Sequence, residues 1–342
     1  MSTEVLEFLW YVVFLIVMIG YSVLDGFDLG VGALHLMGRD DYHRRIFLNA
    51  IGPVWDGNEV WLVILGGGLF AGFPFAYATL MSGFYVLVMA FIFFLIVRAV
   101  AIEFRSKTES AAWRGTWDVA FSFSSIGIAL GLGLILGNLA TGIPLDSGQE
   151  YRAGFWALFN PYTVIIAVMV LALFMMHGAI YLVMKTEGKI HDHMREWIRP
   201  TMAFFIIMYA IANSATLIYL PHLVVRFQEN PWLFLLPVAT MIAIANIPRA
   251  IHHQKDGQAF LSSCATIALM VVLFAVGNFP NLIRSTVDPE SLSLTVSNSY
   301  ASAQTLKILL TIVLIGVPVA LAYIISIYYI FRGKVKLDSH SY

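Results

Sequence analysis

The chain has 342 residues, of which 59% are hydrophobic and 12% charged, and its mean hydropathy is +0.80. Soluble globular proteins use roughly 25% charged residues, so this balance excludes a water-soluble fold and assigns almost the whole chain to lipid. A formal net charge of -1 gives no basic excess to attract a phosphate backbone, so nucleic-acid binding has no support. The single cysteine, Cys264, excludes an intrachain disulfide, a CxxC pair and a cysteine-built metal cluster.

A membrane span needs roughly 20 apolar residues at a rise of about 1.5 Å each. Runs free of Asp, Glu, Lys and Arg recur from 8–24 to 308–331. The run 60–97 is long enough for two spans, and Gly72-Phe73-Pro74 supplies the break, because proline lacks a backbone donor and restrains the residue before it. The sequence therefore predicts an all-α integral membrane protein, one polytopic domain with about nine transmembrane helices. They are placed at 8–36, 52–73, 77–100, 115–139, 158–184, 199–220, 231–251, 258–279 and 304–331. They are expected to group into two four-helix bundles plus a peripheral helix.

The first helix lacks a basic n-region and runs into Asp25 and Asp28, so it reads as a retained span and not a signal peptide. The two acids are three apart and share a helix face, while Gly26, Gly30 and Gly32 let another backbone or a ligand approach. A carboxylate in hydrocarbon costs several kcal/mol unless water, a partner or the protein interior receives it, so this pair suggests proton conduction. The plainer reading is a pair that caps or breaks the helix near the cytoplasmic surface.

The second helix opens on Gly52-Pro53-Val54-Trp55-Asp56-Gly57-Asn58-Glu59-Val60-Trp61, which repeats the acidic spacing in Asp56 and Glu59. Two acidic faces can thus meet, and water-linked carboxylates relay protons. Alternatively Asp56 caps the helix, Asn58 bonds to a loop and the tryptophans sit in an interfacial belt. After the third helix, Glu103 reads either as an uptake or relay group or as an acid neutralised by Arg98, Arg105 and Lys107. Asp118 near the start of the fourth helix is explained by the helix dipole alone.

GxxxG pairs at Gly68/Gly72, Gly127/Gly131 and Gly133/Gly137 predict close helix approach. Among nine histidines only His177 lies clearly inside an apolar run, without an obvious deep axial partner, so polar packing is preferred to haem ligation and no metal site is expected. The segment 280–303 reads as an ordered external loop or a weakly structured cap.

Lysine and arginine accumulate on the cytoplasmic side of membrane proteins. With nine helices, one side receives Arg39, Arg44, Arg45, Arg98, Arg105, Lys107, Arg114, Lys185, Lys189, Arg195, Arg199, Arg249, Lys255, Arg332, Lys334 and Lys336, which is 16 of the 20 bases. The other side holds Arg152, Arg226, Arg284 and Lys307. This places the N-terminus outside and the C-terminus in the cytoplasm.

The residues just described resemble subunit II of the bacterial cytochrome bd quinol oxidases. The likeness is carried by GYSVLDGFDLGVGAL at 20–34, GPVWDGNEVWLVILGGGLFAGFP at 52–74, SGFYVLV at 82–88, EFRSK at 103–107, WD at 117–118 and NPYTVIIAVMVLALFMMHGAIYLVMKTEG at 160–188. It implies a multi-pass protein of the bacterial cytoplasmic membrane, part of a complex that oxidises quinol and reduces dioxygen to water. It implies that two b-type haems, one d-type haem and the main quinol-oxidising loop belong to a partner, subunit I, and that this chain carries no redox centre.

A small accessory membrane subunit is a further implied partner. Carried over residue by residue, the resemblance implicates Asp28, Asp56 and Glu103 in a proton path; Glu59 is a weaker candidate because an amide also occurs at its position, and Asp25 is a weaker one that rests on the residues alone. A structural quinone bound to subunit II occurs in some members, and Trp55 or Trp61 would contact it here, although an aromatic belt explains both. The alternatives from the residues alone are a proton-coupled secondary transporter and a purely structural oxidase subunit.

Overall fold

The computed structural model describes residues 2–337. Twelve α-helices follow one another: α1 Thr3–Leu34, α2 Asp41–Ile51, α3 Trp55–Gly72, α4 Pro74–Gly83, α5 Tyr85–Phe104, α6 Ala111–Thr141, α7 Pro161–Lys185, α8 Gly188–Tyr219, α9 His222–Glu229, α10 Leu235–His252, α11 Asp256–Asn278 and α12 Ala303–Ile330. Among the described residues, α1, α5, α6, α7, α8, α10, α11 and α12 are each long and apolar enough to cross a membrane. The bent pair α3 and α4 brings the number to nine when counted as one span.

Local chemistry sets the helix starts. The side chain of Asn160 accepts from Thr163 N at 2.9 Å, and Pro161 fills the first helical position, where a missing N–H costs nothing. Ser302 accepts from Thr305 N at 3.1 Å to open α12. Phe73 leaves helical geometry before Pro74, and α4 turns 120° away from α3.

Here the structure departs from the helix expected at 77–100. Its first residues belong to α4, a second interruption falls at Phe84, and the span proper is α5. The break at Gly72-Phe73-Pro74 lies where the sequence placed it.

Two helical segments escaped a reading based on hydropathy. Helix α2 is too short and polar to span, yet it buries Ile46, Phe47, Leu48, Ala50 and Ile51 against the end of the bundle. Asp40 opens it by accepting from His43 N at 2.9 Å, and that bond, reinforced by the His43 ring, holds the exposed Asp40 carboxyl below its ordinary range. Helix α8 begins at Gly188, well before the expected 199, because its polar turns are held by Arg195, which bonds Asp256 at 2.8 Å and Ile251 O at 2.5 Å.

Helix α1 lies at the centre and touches α3, α6, α7, α11 and α12; α5 packs on α6, α8 on α7 and α10 on α11. Helix α12 is peripheral, with Leu306 its one buried residue. At the end opposite α2, segment 280–303 is ordered, and it adds a small antiparallel sheet, β1 Asn281–Ile283 with β2 Leu294–Thr295, to the otherwise helical fold. Near its end Ala301 N donates to Gly72 O at 3.0 Å, on the α3–α4 break.

Backbone contact at two glycines fixes how α1 meets α7. A Cβ on Gly30 would lie 1.8 Å from Phe174 O, and one on Gly178 would lie 2.5 Å from Gly30 C. Neither obstacle is a movable side chain. Gly133 and Gly137 likewise admit the backbone of Ala167 and Thr163, so this GxxxG pair joins α6 to α7; Gly127 and Gly131 receive the rings of Phe94 and Phe91. Gly178→Ala is therefore expected to destabilise the protein by about 1–3 kcal/mol through overpacking. Gly115→Ala, where an added methyl meets nothing and alanine favours a helix more than glycine does, should leave the midpoint of thermal unfolding no lower and raise it slightly.

Candidate functional site: buried acids on the central helix

Asp25 and Asp28 sit in the interior of an unbroken α1, and both are wholly buried, so neither caps nor interrupts the helix. They have different partners. Arg98 of α5 donates from Nη2 to Asp25 Oδ1 at 2.6 Å, and both side chains of this ion pair are fully enclosed. Arg98, counted above among the loop bases, is thus an internal residue of α5. Its Nε and Nη1 and the second oxygen of Asp25 have no hydrogen-bond partner.

Asp28 meets no base directly. Its Oδ2 accepts from Asn58 Nδ2 at 2.7 Å, while Oδ1 has no hydrogen-bond partner. Asn58 is itself buried in the first turn of α3, where Nδ2 also donates to Leu24 O at 3.3 Å. Its Oδ1 accepts from the hydroxyl of Tyr328 on α12 at 2.8 Å. Three helices thus meet at one amide, and Asn58 bonds to buried groups in place of the loop expected for it.

The other acids of the expected path are graded in depth. Asp56 is exposed in the first turn of α3, whose N-cap, Val54, offers no side-chain cap. Glu59, one turn on, is half-buried and within electrostatic reach of Asp56, Asp25 and Arg98. Glu103 is exposed near the end of α5. Of the bases suggested to neutralise it, Arg98 is engaged by Asp25, and Arg105 by Asp118 and Asp41. Trp55 and Trp61 are buried within the chain, with the Trp61 ring lying over Gly20 of α1.

A second polar knot lies where α1, α2, α5 and α6 end together. Asp118 accepts from His35 Nε2 at 2.6 Å, Arg44 Nη1 at 3.1 Å and Arg105 Nε at 2.5 Å. Arg105 continues to Asp41 at 2.7 Å, which Arg114 also reaches at 3.0 Å. The helix dipole is a minor part of what Asp118 does, since it ties four elements into one ionic lock.

His177 is held as core polar packing. Its Nδ1 meets Ser263 Oγ at 2.7 Å, its Nε2 meets Val23 O at 3.0 Å, and the ring stacks on Phe260 with 5.0 Å between centroids. Among the described residues no group of three or more His, Cys, Asp or Glu side chains is placed to hold a metal ion.

The sequence model described as "Cytochrome bd terminal oxidase subunit II" matches residues 6–331. The chain belongs to the cytochrome bd terminal oxidase subunit II family. It is 30% identical to "Cytochrome bd-I ubiquinol oxidase subunit 2" of Escherichia coli K12, an alignment covering 98% of this chain and 96% of that one. It is 31% identical to "Cytochrome bd ubiquinol oxidase subunit 2" of Bacillus subtilis, covering 96% of each. A chain in the solved structure of bd oxidase from Geobacillus thermodenitrificans has the same fold, with a TM-score of 0.78 at 16% identity over 96% of this chain and 98% of that one.

The fixed pairs and the open acid predict different losses. Arg98→Leu leaves Asp25 buried and unpaired, and is expected to destabilise the protein by about 3–5 kcal/mol. Combining it with Asp25→Leu should recover most of that loss. Thermal unfolding of the single and double variants measures the coupling, and additive losses would show that the pair is not the source.

Proposed function

We propose that this chain is the haem-free subunit of a quinol:dioxygen oxidoreductase of the bacterial cytoplasmic membrane. It stabilises a haem-bearing subunit I and supplies acids to a proton path from the cytoplasm. In this reading the complex oxidises two quinols for each dioxygen, and four protons join four electrons to make two waters. The N-terminus lies outside and the C-terminus in the cytoplasm, as the bases of the loops favour. That orientation puts α2, Asp56 and Glu103 towards the side from which protons are drawn.

The observation that carries the reading is Asp28, a carboxyl wholly inside the protein with one oxygen held by an amide and the other without a hydrogen-bond partner. A buried acid kept only for structure is expected to have a base or a full set of donors, as Asp25 and Asp118 do in part. Exposed Asp56, half-buried Glu59 and buried Asp28 form a descent from water into the core, the order a relay requires. Asp56 and Glu103 stand at the surface as uptake groups. For Asp25 and Asp118 the geometry favours a structural part, since both are locked to arginine. The haem-free assignment is supported by His177, whose two ring nitrogens are both engaged by protein groups.

Asp28→Asn in the intact oxidase is expected to keep the haem spectrum and to lower quinol-driven oxygen consumption per haem by at least about tenfold, because an amide keeps the size and removes the exchangeable proton. Asp56→Asn should act in the same direction. Asp25→Asn should instead reduce the yield of assembled complex, since it unbalances Arg98. Normal turnover in Asp28→Asn would overturn the proton path and leave a structural subunit.

A further inference from the structure

Helix α12 fully buries only Leu306 and packs the partly buried Leu309, Leu310, Val313, Ile324 and Ile327 on the bundle. Polar ties add to this apolar seam. At its C-terminal end Lys185 of α7 donates to Phe331 O, Lys334 donates to Met184 O at 2.8 Å, and Val335 N donates to Lys185 O at 2.9 Å. Each helix thus satisfies the last carbonyls of the other, groups that a helix cannot satisfy within itself. One turn before this latch, Tyr328 reaches inward to Asn58.

An amide has two faces, and which one Asp28 meets depends on what holds the other end. With the Tyr328 hydroxyl donating to Oδ1 and Leu24 O accepting from Nδ2, turning the amide over would set oxygen against the Leu24 carbonyl and leave the hydroxyl without its acceptor. The Nδ2 group is therefore kept towards Asp28, where it occupies one lone pair of Oδ2. We propose that Tyr328 is a positioning residue for Asp28: by fixing the Asn58 amide it directs an incoming proton to Oδ1, the oxygen left without a partner. This rests on the proton-path reading. The charged and titratable groups around Asp28 are Asp25 on its own helix, Arg98 on α5, Glu59 on α3, Tyr181 on α7 and Tyr328 on α12.

Without the hydroxyl, one of the two contacts that hold the amide is lost, and an amide that turns over presents Oδ1 to Asp28 and accepts the proton's hydrogen bond itself. Transfer beyond Asp28 then starts from the wrong oxygen.

The test uses the whole two-subunit oxidase with Tyr328→Phe, Asn58→Leu, the double variant and Asp28→Asn. Tyr328→Phe should keep haem content and quinol KM while lowering kcat per haem about fivefold, the effect of one hydrogen bond felt in the rate. Asn58→Leu should lower kcat at least as much, and the double variant no further, because the tyrosine acts only through the amide. The carboxylic C=O infrared band that disappears in Asp28→Asn should shift in Tyr328→Phe.

Unchanged kcat and an unchanged band in Tyr328→Phe, with Asp28→Asn slow, overturn the positioning role and spare the proton path. Normal turnover in Asp28→Asn overturns both. Additive losses in the double variant, or reduced assembly with normal kcat per haem, show that Tyr328 only holds α12 in place and overturn the proposal.

Discussion

Removing charge from water inside a bilayer is the constraint that orders this protein. Asp25 and Asp28, buried in a span, find their partners within the chain, and the helices that supply those partners are thereby fixed against α1. Asp25 draws in Arg98 and with it α5; Asp28 draws in Asn58 and with it the start of α3. Apolar contact between helices does little of this sorting, because lipid tails are as good a neighbour to leucine as another helix is. Shape supplies the rest: glycine at 30 and 178 lets α1 and α7 cross backbone to backbone.

The same constraint separates two kinds of acid. Asp118 is surrounded by His35, Arg44 and Arg105, and such a site resists any change of charge. Asp28 has a neutral amide as its only hydrogen-bond partner, which favours a charge less strongly than a guanidinium does. A group that gains and loses a proton on each turnover needs the second kind of surroundings. The first kind serves to keep helix ends together.

Much of this was legible in the sequence, for reasons that can be named. The spans showed because a bilayer demands runs of apolar residues, and the turn at Gly72-Phe73-Pro74 because proline forbids what a helix needs. The acids of α1 and α3 showed because a charge in such a run is rare.

Rotation did not show. That Arg98 turns inward to Asp25, away from Glu103, depends on the angular setting of α5 against α1, which the periodicity of an almost uniformly apolar helix does not encode. Tyr328 was hidden for a similar reason, since a tyrosine near the end of a span looks the same whether it faces lipid or an amide. Helix α2 and the polar turns of α8 escaped because hydropathy marks what lipid covers and says nothing of helix in water.

The pairing of Asp25 with Arg98 has a consequence for how the chain is built. Acid and base are 73 residues apart, so the acid is synthesised well before its partner. As α1 leaves the ribosome, Asp25 and Asp28 have no base within their own helix to meet them. Asp25 therefore stays without its base until α5 has been made.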